Sequence, residues 1–174
     1  MNDKGFTLLE LMVVIGIMSV LSAVLLLYNR TGEKQIILSR EQARLTSVLF
    51  QARSLSLNSF GAEIRGGDVQ ICGYGVNFSP PQTFTIFQDR LAGGTNCAAS
   101  NKIFDGGEEV SVQTLDSAIK ITSNFSNILF MPPEPTVVID GDSGREQSIV
   151  AVSFIDGSNP RQIIVNKYGQ ISPQ

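Results

Sequence analysis

The most constraining feature of the 174-residue sequence is a long apolar run near its start that contains one carboxylate. Residues 6–28 are almost entirely apolar, and Glu10 is their only charged side chain. As an α-helix this run would be roughly 35 Å long, enough to cross the hydrocarbon core of a bilayer. A secretory signal peptide fits poorly, because its apolar core is shorter and carries no internal acid. The sequence therefore predicts a membrane-spanning helix over residues 6–28.

Glu10 is costly at this position unless something pairs with it. An ionisable side chain inside a membrane span is unfavourable by roughly 2.5–3.5 kcal/mol on insertion scales. No Lys or Arg lies between Phe6 and Asn29, so we expect the partner to be a terminal amine or a group on another chain. The small residues Gly16, Ser19 and Ala23 share one helix face, where another helix could approach closely. Chance placement explains these residues equally well.

The segment Lys4-Gly5-Phe6-Thr7-Leu8-Leu9-Glu10 resembles the type IV prepilin processing motif. The resemblance implies that a prepilin peptidase in the membrane cleaves after Gly5 and that the new N-terminal residue, Phe6, is methylated. It also implies that Glu10 serves assembly by pairing with the amine of a neighbouring subunit. By this resemblance, residues 1–5 are the leader peptide and residues 6–28 are the helix of the membrane and the filament core. The alternative is a plain single-pass anchor with a stray glutamate.

The sequence departs from this family at one position of the helix. Family members commonly carry a proline a little over twenty residues into the mature chain, whereas this chain has Leu27 there and no proline before Pro80. Because proline kinks or breaks helices, its absence predicts a more continuous helix than in typical pilins. Any break is expected in the polar stretch 29–32.

A second, amphipathic helical segment is assigned to residues 29–60, and its helical pattern reaches to about Asn58. Three glycines end the pattern: Gly61, Gly66 and Gly67. The apolar face is expected to pack on the following domain and consists of Leu45, Val48, Leu49, Ala52 and Leu55. The opposite side is expected to be solvated, without specific partners, and carries Arg40, Arg44 and Arg53.

Residues 61–174 form the predicted β-rich domain, in which strand-like runs alternate with Gly, Pro, Asn and Asp clusters. Seven strands are predicted, over residues 69–78, 83–88, 110–115, 118–122, 128–131, 148–155 and 162–166. A long helix followed by many short strands indicates an α+β chain in which the helix covers a sheet. A further strand is implied before the turn at Asp140-Gly141-Asp142-Ser143-Gly144, whose alternating acids are a poor match to a calcium loop.

The strand sequences resemble those of GspH/FimT pseudopilins. The matching segments are Tyr74-Gly75-Val76-Asn77-Phe78, Phe84-Thr85-Ile86-Phe87-Gln88-Asp89, Ile128-Leu129-Phe130 and the stretch 162–171. The resemblance implies two packed antiparallel sheets beside the helix. It also implies a subunit of low copy number, at or near the tip of a filament.

Composition argues against catalysis and against a cofactor or metal site. The chain contains no histidine, which removes the commonest general base and the commonest zinc ligand. The string Gly141-Asp142-Ser143-Gly144 resembles a protease nucleophile motif, but its serine has no histidine to accept a proton. Cys72 and Cys97 would form a disulfide if the domain is exported, closing a loop worth roughly 3 kcal/mol in the entropic account; two separate thiols are the alternative.

The predicted function is structural. We expect a minor pseudopilin or pilin of a type II secretion or type IV pilus-like system. It would cross the inner membrane once, place its C-terminal domain in the periplasm or outside, and then enter a filament with other pilins. Basic residues are more numerous after the span than before it, which favours the opposite orientation, but long domains translocate largely regardless of charge.

Nucleic-acid binding is the alternative function. A FimT-like pilin of DNA uptake would contact DNA through basic residues near its C-terminus, which are here Arg145, Arg161 and Lys167. The net charge of -3 and the absence of a basic cluster at the C-terminus weigh against this reading.

Overall fold

The computed structural model describes residues 7–59, 69–93, 96–132 and 136–174, with the backbone alone for residues 26–31. The chain divides into two compact units, Met1–Ile37 and Leu38–Gln174. The described part of the first unit is helical, and the second unit contains further helix and all the strands. Several predicted features lie outside the described residues: the leader, Phe6, and the three glycines Gly61, Gly66 and Gly67.

A single helix, α1, spans Leu8–Asn58. The polar stretch 29–32, where the sequence allowed a break, is helical throughout. Gly32 costs a helix only about 1 kcal/mol relative to alanine, and this stretch contains no proline. The expected continuity of the helix and its end at Asn58 are therefore confirmed.

Among the described residues, nine strands follow the helix and form two antiparallel sheets. They are β1 (Val69–Ser79), β2 (Thr83–Ala92), β3 (Glu109–Thr114), β4 (Ile119–Ser123), β5 (Asn127–Met131), β6 (Thr136–Ile139), β7 (Gln147–Phe154), β8 (Arg161–Asn166) and β9 (Ile171–Pro173). The strand order is β3-β2-β1-β5-β6 in one sheet and β4-β7-β8-β9 in the other. The predicted α+β class with two antiparallel sheets is confirmed.

The part of α1 within the second unit packs on both sheets. Four residues of the predicted apolar face are buried, namely Leu45, Val48, Leu49 and Ala52, and Leu38 is buried with them, whereas Leu55 is half-buried. Polar side chains on the same face bond to strand carbonyls. Ser56 Oγ donates to Phe130 O in β5 at 2.5 Å. Gln42 Nε2 donates to Gln162 O in β8 at 3.1 Å and to Gln174 O, just after β9, at 2.9 Å. The helix is thus tied to each sheet.

The other face of the five-stranded sheet is covered by the connection between β2 and β3. On this face Phe87, Leu129 and Val138 form a buried apolar cluster, against which Phe104 packs. The ring centroids of Phe87 and Phe104 are 5.4 Å apart. A short 3₁₀ turn, Cys97–Ala99, lies in the same connection. Both faces of the sheet are therefore packed.

Gly75 in β1 is required by this packing. It lies opposite Phe87 of β2 and Leu129 of β5 in the register of the sheet. A Cβ atom at Gly75 would overlap the backbone carbonyl oxygen of Ile128 and would lie 2.6 Å from the Phe87 ring. Since strand backbone and a buried ring leave little room to shift, only glycine fits here.

We predict that Gly75→Ala destabilises the domain by about 1–3 kcal/mol or more, because it overpacks a strand on both sides. Gly106→Ala is the matched control, since a Cβ there meets nothing within 4 Å. Thermal unfolding of the full chain in detergent, followed by near-UV circular dichroism, checks this. Equal unfolding temperatures for the two variants would contradict the packing argument.

Candidate assembly site

The N-terminus of α1 is closed by a reciprocal pair of hydrogen bonds between Thr7 and Glu10. The backbone N–H of Glu10 donates to Thr7 Oγ1 at 3.2 Å. The Glu10 carboxylate accepts from the Thr7 backbone N–H at 3.2 Å and from its hydroxyl at 3.3 Å. This is a capping box, in which Thr and Glu three residues apart satisfy helix N–H groups that have no partner within the helix.

The capping box gives Glu10 a hydrogen-bond partner within its own chain, because Thr7 binds the carboxylate. The expected pairing with a terminal amine or a group on another chain stays a prediction. The spacing that reveals this partner is visible in the sequence. The box holds the carboxylate at the first turn of the helix, where the helix dipole also favours negative charge. A negative group is thus presented one turn from the predicted cleavage point, which lies outside the described residues.

The helix after Glu10 presents apolar side chains to its surroundings. Leu8–Leu25 is long and apolar enough to cross a membrane by length and composition, with a mean hydropathy of 2.5 and no buried residue in the structure. The hydroxyls of Ser19 and Ser22 donate to the carbonyls of Ile15 and Met18, each at 2.8 Å. Because these bonds lie within the helix, both serines can enter an apolar medium without orphaned donors.

Two of the arginines expected to be solvated have defined partners instead. Arg44 Nη1 donates to the backbone carbonyl of Thr114 at the end of β3, at 3.0 Å. Arg40 Nη2 lies 3.1 Å from the buried Glu41 carboxylate and 3.8 Å from Asp116. The expectation of arginines without specific partners is therefore wrong for these two residues. Glu41 directly follows Arg40, whereas Thr114 and Asp116 lie about seventy residues or more further along the chain, where helical periodicity gives no information.

Cys72 in β1 and Cys97 in the 3₁₀ turn are joined by a disulfide bond, with their Cα atoms 5.2 Å apart. The bond attaches the connection over the five-stranded sheet to its central strand. Within the described residues no group of three or more acidic or cysteine side chains is arranged to hold a metal ion. The Asp140 carboxylate instead accepts hydrogen bonds from the backbone N–H groups of Ser126 and Asn127, at 2.9 and 2.8 Å, and so joins its turn to the start of β5.

A buried carboxylate, Asp89, lies under the same connection. It is 1 % exposed, and one of its oxygens accepts from the Ser100 hydroxyl. Its other oxygen, Oδ1, is buried and has no hydrogen-bond partner in the described part of the chain. Burial is the main cause that raises the pKa of Asp89, and the nearby carboxylates of Glu108 and Asp105 raise it further.

The three basic residues considered for DNA contact are not gathered into one patch. Arg161 begins β8, whereas Lys167 follows its last residue, so they are roughly 20 Å apart along the strand. Lys167 Nζ forms an ion pair with Glu146 at 2.6 Å. Arg161 Nη1 donates to Gln42 Oε1 of α1 at 3.4 Å. Arg145 lies two residues before β7, and β7 pairs with β8. Of the other two basic residues, Arg145 is therefore the one near Lys167.

We predict that Asp89→Asn raises stability relative to wild type by an amount that grows as pH rises. A raised pKa in the folded state means that the fold binds the proton more tightly than the unfolded chain does. Its stability therefore falls as pH rises from about 4 through the folded pKa. Asparagine removes this dependence. Unfolding temperatures of the full chain between pH 4 and 7 check it, with Asp142→Asn at an exposed turn as control. A pH-independent difference for Asp89→Asn would contradict the assignment.

Comparisons with known proteins bear on the N-terminus and the fold separately. Residues 1–26 match the family described as the prokaryotic N-terminal methylation motif. No curated protein matches the chain in sequence. Among solved structures, the minor pseudopilin EpsH from the type 2 secretion system of Vibrio cholerae is similar over 78% of this chain and 94% of that chain, with a TM-score of 0.44 and 9% identity. The match to a described family therefore concerns the N-terminal segment of the chain, residues 1–26.

Proposed function

We propose that the chain is a structural minor pseudopilin or pilin of the GspH/FimT type. In this proposal it is a subunit at or near the tip of a type II secretion or type IV pilus-like filament, and it has no catalysis of its own. The observation that carries the proposal is the processing motif placed directly before a capped, apolar helix. The two-sheet domain behind α1 and its strand sequences add support.

The steps of maturation are those that the processing motif implies. Prepilin peptidase cleaves after Gly5, and Phe6 becomes the methylated N-terminal residue. The new ammonium group is then a cation at the start of α1, and Glu10 is the carboxylate that it meets on an adjacent subunit. A buried ion pair of this kind is costly to leave unmade in an apolar medium. Formation of the ion pair therefore favours association of the α1 helices.

Before assembly the chain rests in the inner membrane as a single-pass protein. The span Leu8–Leu25 is exposed along its whole length, as a lipid-facing helix must be. The capping box keeps the Glu10 carboxylate hydrogen-bonded within its own chain at this stage. The C-terminal domain lies in the periplasm or outside, where an oxidising environment maintains the bond between Cys72 and Cys97.

We predict that coexpression of the full chain with a prepilin peptidase yields a mature protein beginning at Phe6. The intact mass, with a fragment spectrum of the N-terminus, checks the cleavage position and any added methyl group. A matched variant, Gly5→Val, should keep the leader because a bulky side chain then precedes the scissile bond. Retention of residues 1–5 in the wild-type chain beside an active peptidase would overturn the processing step.

We predict that Glu10→Gln lowers recovery of the subunit in filaments by about tenfold or more, because a charge-assisted hydrogen bond becomes a neutral one. Glutamine still accepts from Thr7, so the capping box is kept and only the charge is lost. The measurement compares the subunit in sheared filaments with the subunit in membranes.

Two controls separate charge from helix capping. Thr7→Ser retains the box and the charge and should assemble normally, whereas membrane levels and cleavage of Glu10→Gln should match wild type. Wild-type recovery of Glu10→Gln in filaments would show that the carboxylate charge has no part in assembly.

A further inference from the structure

Strand β3 leaves one sheet edge open in the described structure. The two sheets have four edge strands: β3, β6, β4 and β9. β6 is covered, since its Val137 N–H donates to Lys167 O at 3.1 Å and its Ile139 N–H to Asp142 O at 2.9 Å. β4 is covered by the bond from Ile121 N–H to Pro81 O at 2.6 Å. β9 has three residues and ends in a proline.

The backbone groups of β3 that point away from β2 can be identified. Leu115 N–H, just after β3, donates to Gln82 O just before β2. Bonded positions alternate along an antiparallel pair, so Val112 and Thr114 direct their backbone groups away from β2. The Thr114 carbonyl does face outward, because Arg44 binds it. No backbone partner for the N–H or C=O of Val112 occurs among the described residues.

Two exposed apolar side chains, Val110 and Val112, lie along this otherwise polar edge. Val112 is 61% exposed and Val110 is 47% exposed. Natural edge strands are commonly protected by charged side chains, by proline, by bulges or by a covering segment, and after Glu109 strand β3 contains neither a charged residue nor proline. A register shift beside Ile86 places a bulge near Val110, which leaves the stretch from Ser111 to Thr114 as the regular part of the edge.

We propose that β3 is a strand-addition surface, on which an extended segment of a neighbouring filament subunit pairs as a further strand of the five-stranded sheet. This inference rests on the proposed function. The required chemistry is an extended backbone that exchanges hydrogen bonds with Val112, with an apolar or β-branched side chain beside the exposed Val112 side chain. Arg44 ends the surface by occupying the carbonyl of Thr114.

The length of the edge argues for a filament neighbour as the occupant. The four residues from Ser111 to Thr114 span only about 13 Å, far too little to bury the roughly 1,200 Å² of a stable free-standing interface. A subunit already held alongside through the α1 helices has an effective concentration on the order of millimolar. Under that condition a few backbone hydrogen bonds and two valines suffice. A free peptide or a dimer in solution lacks this advantage.

Val112→Pro tests the backbone contribution in the full chain, expressed in cells that assemble the filament. Proline deletes the outward N–H and leaves the bonds to β2 in place. We expect about a five-fold lower yield in filaments, the effect of one lost hydrogen bond, whereas Val112→Thr keeps the N–H and should stay near wild type. Unfolding of both variants in detergent monitors the fold. If Val112→Pro is unstable, Val112→Lys replaces it and should show the same loss.

The outcomes separate the two proposals. A wild-type chain that never enters filaments would overturn the proposed function, and strand addition with it. Wild-type and Val112→Pro chains present in filaments at equal yield would overturn strand addition alone.

Cross-linking identifies the occupant. Both native cysteines are disulfide-bonded, so Val112→Cys introduces the one free thiol. The matched control is Thr136→Cys, exposed on the covered edge strand β6. A short thiol-to-amine cross-linker in intact filaments should give several-fold more product with a second pilin-like subunit from Val112→Cys. Equal products from both positions, or a product with a protein outside the filament only, would contradict the proposal.

Discussion

Burial of one side of α1 across two sheets is the interaction on which the domain depends. Leu38, Leu45 and Leu49 are removed from water by this contact. The polar groups at the same face do not interrupt it, because Gln42 and Ser56 donate to strand carbonyls that would otherwise be orphaned. The two sheets do not need to pair edge to edge, since the helix gives both a common apolar surface and common hydrogen-bond donors.

The same helix is suited to two different solvents along its length. In the apolar part of the first unit, three polar side chains are satisfied locally: Glu10 by Thr7, and Ser19 and Ser22 by carbonyls one turn earlier. Such local bonds are independent of water, as an apolar medium demands. In the second unit, Gln42, Arg44 and Ser56 of α1 bond across to strand carbonyls, which only a folded domain can provide. The change in bonding pattern matches the change in hydropathy of the sequence.

Long periodic signals in the sequence predicted the fold well. The apolar run, the helix end at Asn58, the α+β class and seven strands all have counterparts in the structure. The strand β9 was not predicted, and β6 was only implied, because they have three and four residues and are held by neighbouring strands rather than by their own pattern. Short segments of this kind acquire their structure from tertiary context, which sequence periodicity does not contain.

The candidate sites were predicted unevenly for a related reason. The processing motif is local, so it could be read directly from residues 4–10, and the capping box could have been read from the same segment. Arg44 was misjudged, because its acceptor at Thr114 becomes a neighbour only after folding. The open edge of β3 likewise depends on which other edges are covered. Such a comparison exists only once the topology is known.

The bond between Cys72 and Cys97 also sets an order of events. Glutathione and thioredoxin keep thiols reduced in the cytoplasm, whereas disulfides persist in exported proteins. For an exported domain, the covering of the five-stranded sheet is therefore sealed covalently only after the chain has crossed the membrane. The redox state of this cysteine pair would then distinguish chains that await translocation from chains that are ready to polymerise.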